Sequence, residues 1–121
     1  MIKVLIADDY PPVREVLSTY FAYYTTNLQV VGEANNGEEA LSLVDKLDPD
    51  VVLMDISMPI MDGLKATQML RQKKKELVII TFTSHQDASF NQLAHEAGAN
   101  AHITKPFNLE ALQETILKYA S

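Results

Sequence analysis

Apolar residues recur along this chain in two alternating rhythms. Short continuous runs, Val4 to Ala7, Val30 to Gly32, Val51 to Met54, Leu77 to Phe82 and Ala101 to Ile103, are mostly rich in β-branched residues. Such runs favour a pleated, packed surface and predict buried parallel strands. Between them the spacing changes to i, i+3, i+4, as in Val13, Val16, Leu17, Tyr20, Phe21 and Tyr24. That recurrence places an apolar stripe on one face of a helix. The same spacing returns in Leu41, Val44 and Leu47, in Leu64, Ala66, Thr67 and Leu70, in Leu93, Ala94 and Ala97, and in Leu109, Leu112, Ile116 and Leu117. Boundary signals agree: Asn36-Gly37 offers a turn before the second helix, Pro49 stops it, Asp62 is a capping candidate for the third, and Gly98 suits a left-handed cap closing the fourth.

Regular strand-helix alternation with short connections implies right-handed crossovers and a doubly wound α/β sheet with helices on both faces. The expected architecture is a five-stranded parallel sheet in the flavodoxin-like order 2-1-3-4-5, with five helices. The 121 residues, 47% of them hydrophobic, match one domain spanning 1–121, with no internal repeat or linker.

Charge and composition narrow the function. A formal net charge of −6 argues against the chain itself gripping a phosphate backbone. The absence of cysteine removes disulfides, thiolate zinc sites and cysteine nucleophiles, and leaves the cytoplasm as the expected compartment. The N-terminal apolar run is too short for a signal peptide, and no segment approaches the about 18 apolar residues of a membrane span. Lys73-Lys74-Lys75 reads as a solvated loop. His85, His95 and His102 lack ligand-like spacing, so a zinc site is not expected.

The chemistry lies where the apolar runs end. Asp8-Asp9, Asp55, Asp62-Gly63, Thr83-Ser84 and Lys105-Pro106 all follow or close strand-like segments. In an open parallel sheet these positions gather at the rim formed by the carboxyl ends of the strands. Three carboxylates and one ammonium would meet there, and neighbouring carboxylates repel unless a counter-ion intervenes. A divalent hard cation removes that cost, and Mg²⁺ suits oxygen ligands supplied by one or two carboxylates plus a phosphate. Asp55, closing the central strand, is the candidate nucleophile; attack on a phosphoryl group would form an acyl phosphate, with positioning and charge neutralisation governing the rate. Lys105 supplies a flexible point charge and Thr83 a hydroxyl donor for phosphate oxygen.

The pair Asp8-Asp9, the Val52-Leu53-Met54-Asp55-Ile56-Ser57-Met58-Pro59 segment, Met61-Asp62-Gly63, Thr83-Ser84, Gly98-Ala99 and Lys105-Pro106-Phe107 together resemble the receiver domain of two-component response regulators, in its chemotaxis-regulator-like form, along essentially the whole chain. The resemblance implies that Asp55 is phosphorylated by a sensor histidine kinase or phosphotransfer protein. It further implies that Asp9 and Asp55 bind Mg²⁺ directly, Asp8 through water, and that the Ser57 carbonyl completes the protein ligands. Thr83 becomes the switch residue, Lys105-Pro106 a cis bond, and the face of the fourth helix, fifth strand and fifth helix, around Leu93 to Ala120, the surface that changes binding and can form a homodimer. The chain then catalyses only its own phosphorylation and dephosphorylation. Two positions depart from the family pattern. Ser84 stands where a small Ala is usual, which bears on the acyl phosphate's lifetime. His102 stands where an aromatic switch residue is frequent, adding a charge that titrates near neutral pH.

Other functions fit less well. A turnover phosphohydrolase with an aspartyl nucleophile commonly needs an Asp two residues on, and Ser57 occupies that place. A nucleotide-binding module needs glycines that the turn Asp8-Asp9-Tyr10-Pro11-Pro12 lacks. A phosphorylation-independent dimerisation domain would not require the acidic set. The stretch Val30 to Ala40 resembles receivers fused to helix-turn-helix DNA-binding domains, whereas Lys105-Pro106-Phe107 is widespread and includes free-standing receivers, so both outputs stay open.

Overall fold

The computed structural model describes residues 1–84, 89–106 and 108–121; His85 and Phe107 lie outside them. The two rhythms become β1 (Ile2–Ala7), α1 (Pro11–Tyr24), β2 (Leu28–Ala34), α2 (Gly37–Leu47), β3 (Val51–Asp55), α3 (Gly63–Lys73), β4 (Val78–Thr83), α4 (Ser89–Ala97), β5 (Ala101–Thr104) and α5 (Leu109–Ala120). All pairings are parallel, in the order β2-β1-β3-β4-β5. Two strand ends matter for the chemistry. Asp55 and Thr83 are the last residues of their strands, so ladder hydrogen bonding extends to the reactive positions themselves. β2 runs longer than the apolar run at Val30, because Gln29 and Glu33 are exposed on this edge strand and interrupt its hydrophobic signal.

Side-chain alternation divides the core into two layers. Val4, Ile6, Val51, Leu53, Ile80 and Phe82 pack with Leu17 and Phe21 of α1 and Leu112 and Ile116 of α5. Leu5, Ala7, Val52, Met54 and Ile79 point the other way, onto α2, α3 and α4. Burying a large aliphatic or aromatic side chain contributes about 1.5–3 kcal/mol, so both sheet faces are strongly held. The helical stripes are narrower than expected. Val16, Tyr24 and Leu93 share the spacing of core residues but are exposed, since α1 fully buries only Leu17 and Phe21, and α4 only Ala94.

Helix ends follow local chemistry. Asn36 and Asp62 accept the backbone N–H groups of Glu39 and Lys65 at the starts of α2 and α3. α2 stops at Asp48, itself left-handed at φ 47°, one residue before the Pro49 that the sequence marked. Gly98 ends α4 at φ +110°, a conformation that suits glycine. Arg71 clasps this corner. Its guanidinium donates to the carbonyls of Gly98 at 2.8 Å and of Lys74 and Lys75 at 3.0 Å each, and to Asn100 Oδ1 at 2.8 Å. Asn100 Oδ1 also accepts from the N–H of Ile79, so α3, α4 and the start of β4 share one knot.

Gly63 opens α3 directly against the end of β3: a Cβ at this position would lie 2.0 Å from the Asp55 carbonyl oxygen. Its N–H donates to the Ile56 carbonyl at 2.8 Å. Gly63→Ala must therefore push the two segments apart, and we expect a loss of about 1–3 kcal/mol, read as a lower urea midpoint with unchanged slope. An unaltered midpoint would show that the strand end retreats without cost.

Candidate functional site

The β1–α1 turn is built around Asp8, which is fully buried. Its N–H donates to the Ala34 carbonyl at 3.0 Å, fixing it beside β2. Its Oδ1 accepts the Tyr10 N–H at 2.8 Å, an Asx-type turn in which the carboxylate organises the backbone that leads into α1. Its carbonyl accepts Arg14 Nη1 at 2.5 Å. Asp9, next along, is exposed.

Asp55 closes the central strand with 4% of its surface exposed. Its backbone is clamped from two sides, by Gly63 as described and by Ile56 N–H donating to the Phe82 carbonyl at 2.9 Å. Its Oδ1 accepts the Ser57 N–H at 3.2 Å. The loop that follows contains Ile60 at φ 69°, unusual for a β-branched residue, and is pinned where Gly37 N–H donates to the Met61 carbonyl at 2.8 Å. Asp8, Asp9 and Asp55 offer carboxylate oxygens that all lie within 4.8 Å of one another.

Lys105 follows β5, and the Lys105-Pro106 bond is cis. Its N–H donates to the Thr83 carbonyl at 2.8 Å. Its ammonium lies 3.0 Å from Asp8 Oδ2, 3.7 Å from Asp55 Oδ2 and 5.1 Å from the centre of the Phe82 ring. Thr83 is buried at the end of β4, next to the strand that ends in Asp55. Ser57 and Ser84 are exposed at the same rim, and Ser84, Lys105 and Pro106 form an apolar groove of about 440 Å³ with Pro12, Val13 and Val16 of α1. Asp8, Asp9, Asp55 and Lys105 are thus one cluster. Asp62 is apart from it, capping α3.

His102 takes part differently. Its register partner is Thr81, whose Oγ1 lies 2.8 Å from His102 Nδ1. Burial lowers the imidazole's pKa below its ordinary value, which favours the neutral ring at neutral pH. The charge expected there from the sequence is therefore displaced toward acid.

Among the described residues one ammonium, that of Lys105, pairs with these carboxylates, which leaves the three of them under-neutralised. Burial, then the nearby Asp8, push Asp55 from 3.8 up to about 7; Asp9 adds to this, while Lys105 and the Ser57 N–H oppose it. An all-oxygen donor set suits a hard cation. Oxygens within 4.8 Å of one another can be spanned by an ion whose oxygen contacts are about 2.0–2.6 Å.

Sequence reasoning missed Arg14, which carries no motif of its own, and named Gly63 only as part of Met61-Asp62-Gly63, without its packing against Asp55. A glycine two residues after a Met-Pro-x-Met loop has no pattern that reveals a carbonyl packed on its missing side chain.

The raised Asp55 pKa has a consequence for stability. Without a bound cation the folded chain retains a proton up to pH about 7 that the unfolded chain releases near 3.8, so stability falls as pH rises across that interval. In chelator-treated buffer we expect Asp55→Asn to be more stable than the parent by roughly 1–4 kcal/mol at pH 8, the advantage vanishing near pH 4. Thermal unfolding across this range measures it, and a pH-independent difference would contradict it.

Comparison with known proteins agrees with this geometry. Residues 4–117 match the family described as the response regulator receiver domain. Response regulator GacA of Pseudomonas aeruginosa is 39% identical over 116 residues, covering 96% of this chain and 54% of that protein. The chain spans about half the length of the first curated relatives it matches. The response regulator domain of Thermotoga maritima CheB superposes with a TM-score of 0.91 at 30% identity, covering 99% of this chain and 96% of that one. A CheX-CheY-BeF3-Mg²⁺ complex from Borrelia burgdorferi matches with a TM-score of 0.88 at 25% identity, over 99% of this chain and 90% of that one. With the acidic cluster at the carboxyl rim of a 2-1-3-4-5 sheet and a family match over nearly its full length, the chain belongs to the response regulator receiver domains.

Proposed function

We propose that this chain is a phosphorylation-driven switch in which Asp55 accepts a phosphoryl group from the phosphohistidine of a sensor kinase or phosphotransfer protein. The observation that carries the reading is the position of Asp55: buried at the end of the central strand, within 3.7 Å of Lys105 and sharing a pocket with Asp8 and Asp9. A carboxylate oxygen of Asp55 attacks phosphorus, the phosphorus–nitrogen bond to the donor imidazole breaks, and an acyl phosphate forms. Hydrolysis returns the carboxylate and inorganic phosphate, so the chain acts on itself and turns over no external substrate.

Asp9, Asp55 and the Ser57 carbonyl would hold Mg²⁺, with Asp8 acting through water. The ion would neutralise charge on the transferring phosphoryl oxygens and reduce repulsion among the acids. The Mg²⁺ in the Borrelia CheY complex supports this choice of ion. Lys105 has a strongly hydrated, mobile ammonium on a flexible stem, suited to leaving Asp8 for a phosphoryl oxygen. Thr83 then donates its hydroxyl to the phosphoryl group. New contacts made in only one state bias a two-state element. That element is the α4-β5-α5 face, including His102, which engages a downstream partner or a second copy. The curated relatives include transcriptional regulatory proteins, which supports an output in transcription through a domain other than this one. The compartment consistent with such a role is the cytoplasm; among the described residues no helix is long and apolar enough to cross a membrane.

Intact-mass analysis with Mg²⁺ and a small phosphodonor should show one added phosphoryl group, which does not form when chelator is present from the start and is absent in Asp55→Asn. An undiminished adduct in that variant would overturn the assignment.

A further inference from the structure

A second cation stands at the acidic rim, unused by the chemistry above. Arg14, in the first turn of α1, has a side chain only 14% exposed. Its guanidinium divides its donors: Nη1 donates to the Asp8 carbonyl at 2.5 Å, and Nε to Glu33 Oε1 of β2 at 3.0 Å. A half-exposed ion pair of this kind is worth little as attraction alone. Its geometry has a more specific consequence.

The Asp8 carbonyl belongs to the peptide that carries Asp9. Asp8 itself is gripped at its N–H by Ala34, at Oδ1 by Tyr10 and at Oδ2 by Lys105. Asp9 has no comparable hold: among the described residues its carboxylate has no hydrogen-bond or ion-pair partner, although it lies with Asp8 and Asp55 in the oxygen cluster. Its direction is set by the backbone, and the plane of the Asp8–Asp9 peptide is set by Arg14. Glu33 in turn fixes Arg14 to the edge strand, one residue from the Ala34 carbonyl that anchors the Asp8 N–H. The two contacts on β2 thus triangulate the turn.

We propose that Arg14, braced by Glu33, is a positioning residue for the metal pocket: it orients the Asp8–Asp9 peptide so that the Asp9 carboxylate faces Asp8 and Asp55. The inference rests on the reading that this pocket takes Mg²⁺. It concerns geometry and not charge, and the two make opposite predictions. An extra positive charge beside three carboxylates opposes a divalent cation, so its removal by itself tightens binding. Loss of a positioning contact weakens binding, as it does for residues that orient metal ligands elsewhere.

Calorimetric titration of the intact chain with Mg²⁺, without any phosphodonor, separates these outcomes. Arg14→Lys keeps the charge but cannot reach both acceptors with a planar fork, and should weaken Mg²⁺ binding by about tenfold. Arg14→Met should also weaken it, and Glu33→Gln should do so to a smaller extent. Urea midpoints report folding of each variant; should Arg14→Met fail to fold, Arg14→Lys and the solvent-side Glu33→Gln carry the test. Wild type that binds Mg²⁺ with Arg14→Lys unchanged, or Arg14→Met binding more tightly, overturns the positioning role alone. Wild type that takes up no Mg²⁺ removes the metal reading and this inference together.

Discussion

The structure depends on a charge imbalance held in place by a strand. Asp55 cannot swing away from Asp8 and Lys105, because its backbone is in the β3–β4 ladder and its carbonyl lies against Gly63. Burial and the Asp8 charge make its ionised form unfavourable, and the single ammonium of Lys105 compensates only in part. A polar cluster so arranged at the edge of an apolar core is most comfortable when something positive arrives. The same tension that costs stability would favour a cation that entered the cluster.

The scaffold explains why such a cluster persists. The inner strands β1, β3 and β4 are covered on both faces, by α1 and α5 on one side and by α2, α3 and α4 on the other. Two independent layers of packing grip the strand ends that carry Asp8, Asp55 and Thr83, so the repulsion among acids is borne by a stiff frame. The loops then need to adjust only at their tips, where Ser57, Ser84 and Pro106 are exposed.

Much of this was legible in the sequence because each of its signals is local. Strand runs, helical spacing, the turn at Asn36-Gly37, the cap at Asp62 and the left-handed Gly98 all express short-range backbone preferences, and the strand order is that of the doubly wound class to which strand-helix alternation points. The acidic residues and Lys105 were legible for a different reason: strand ends in a parallel sheet share one rim, so their meeting follows from topology. What escaped were features defined by absence or by a neighbour far along the chain. Gly63 matters because of the atom it lacks beside Asp55, and Arg14 through Glu33, 19 residues away. Val16, Tyr24 and Leu93 show the converse limit, since periodicity marks a face as apolar without saying how much of that face the sheet can cover.

The knot at Arg71 fixes one end of α4. Gly98, at the far end of α4, is tethered through its carbonyl to α3, and Asn100 to both Arg71 and β4. A rod fixed at one end can turn only about that end, so any displacement of α4 would take Gly98 as its fulcrum. The amplitude of such a movement would grow along α4 with distance from the corner that Arg71 holds.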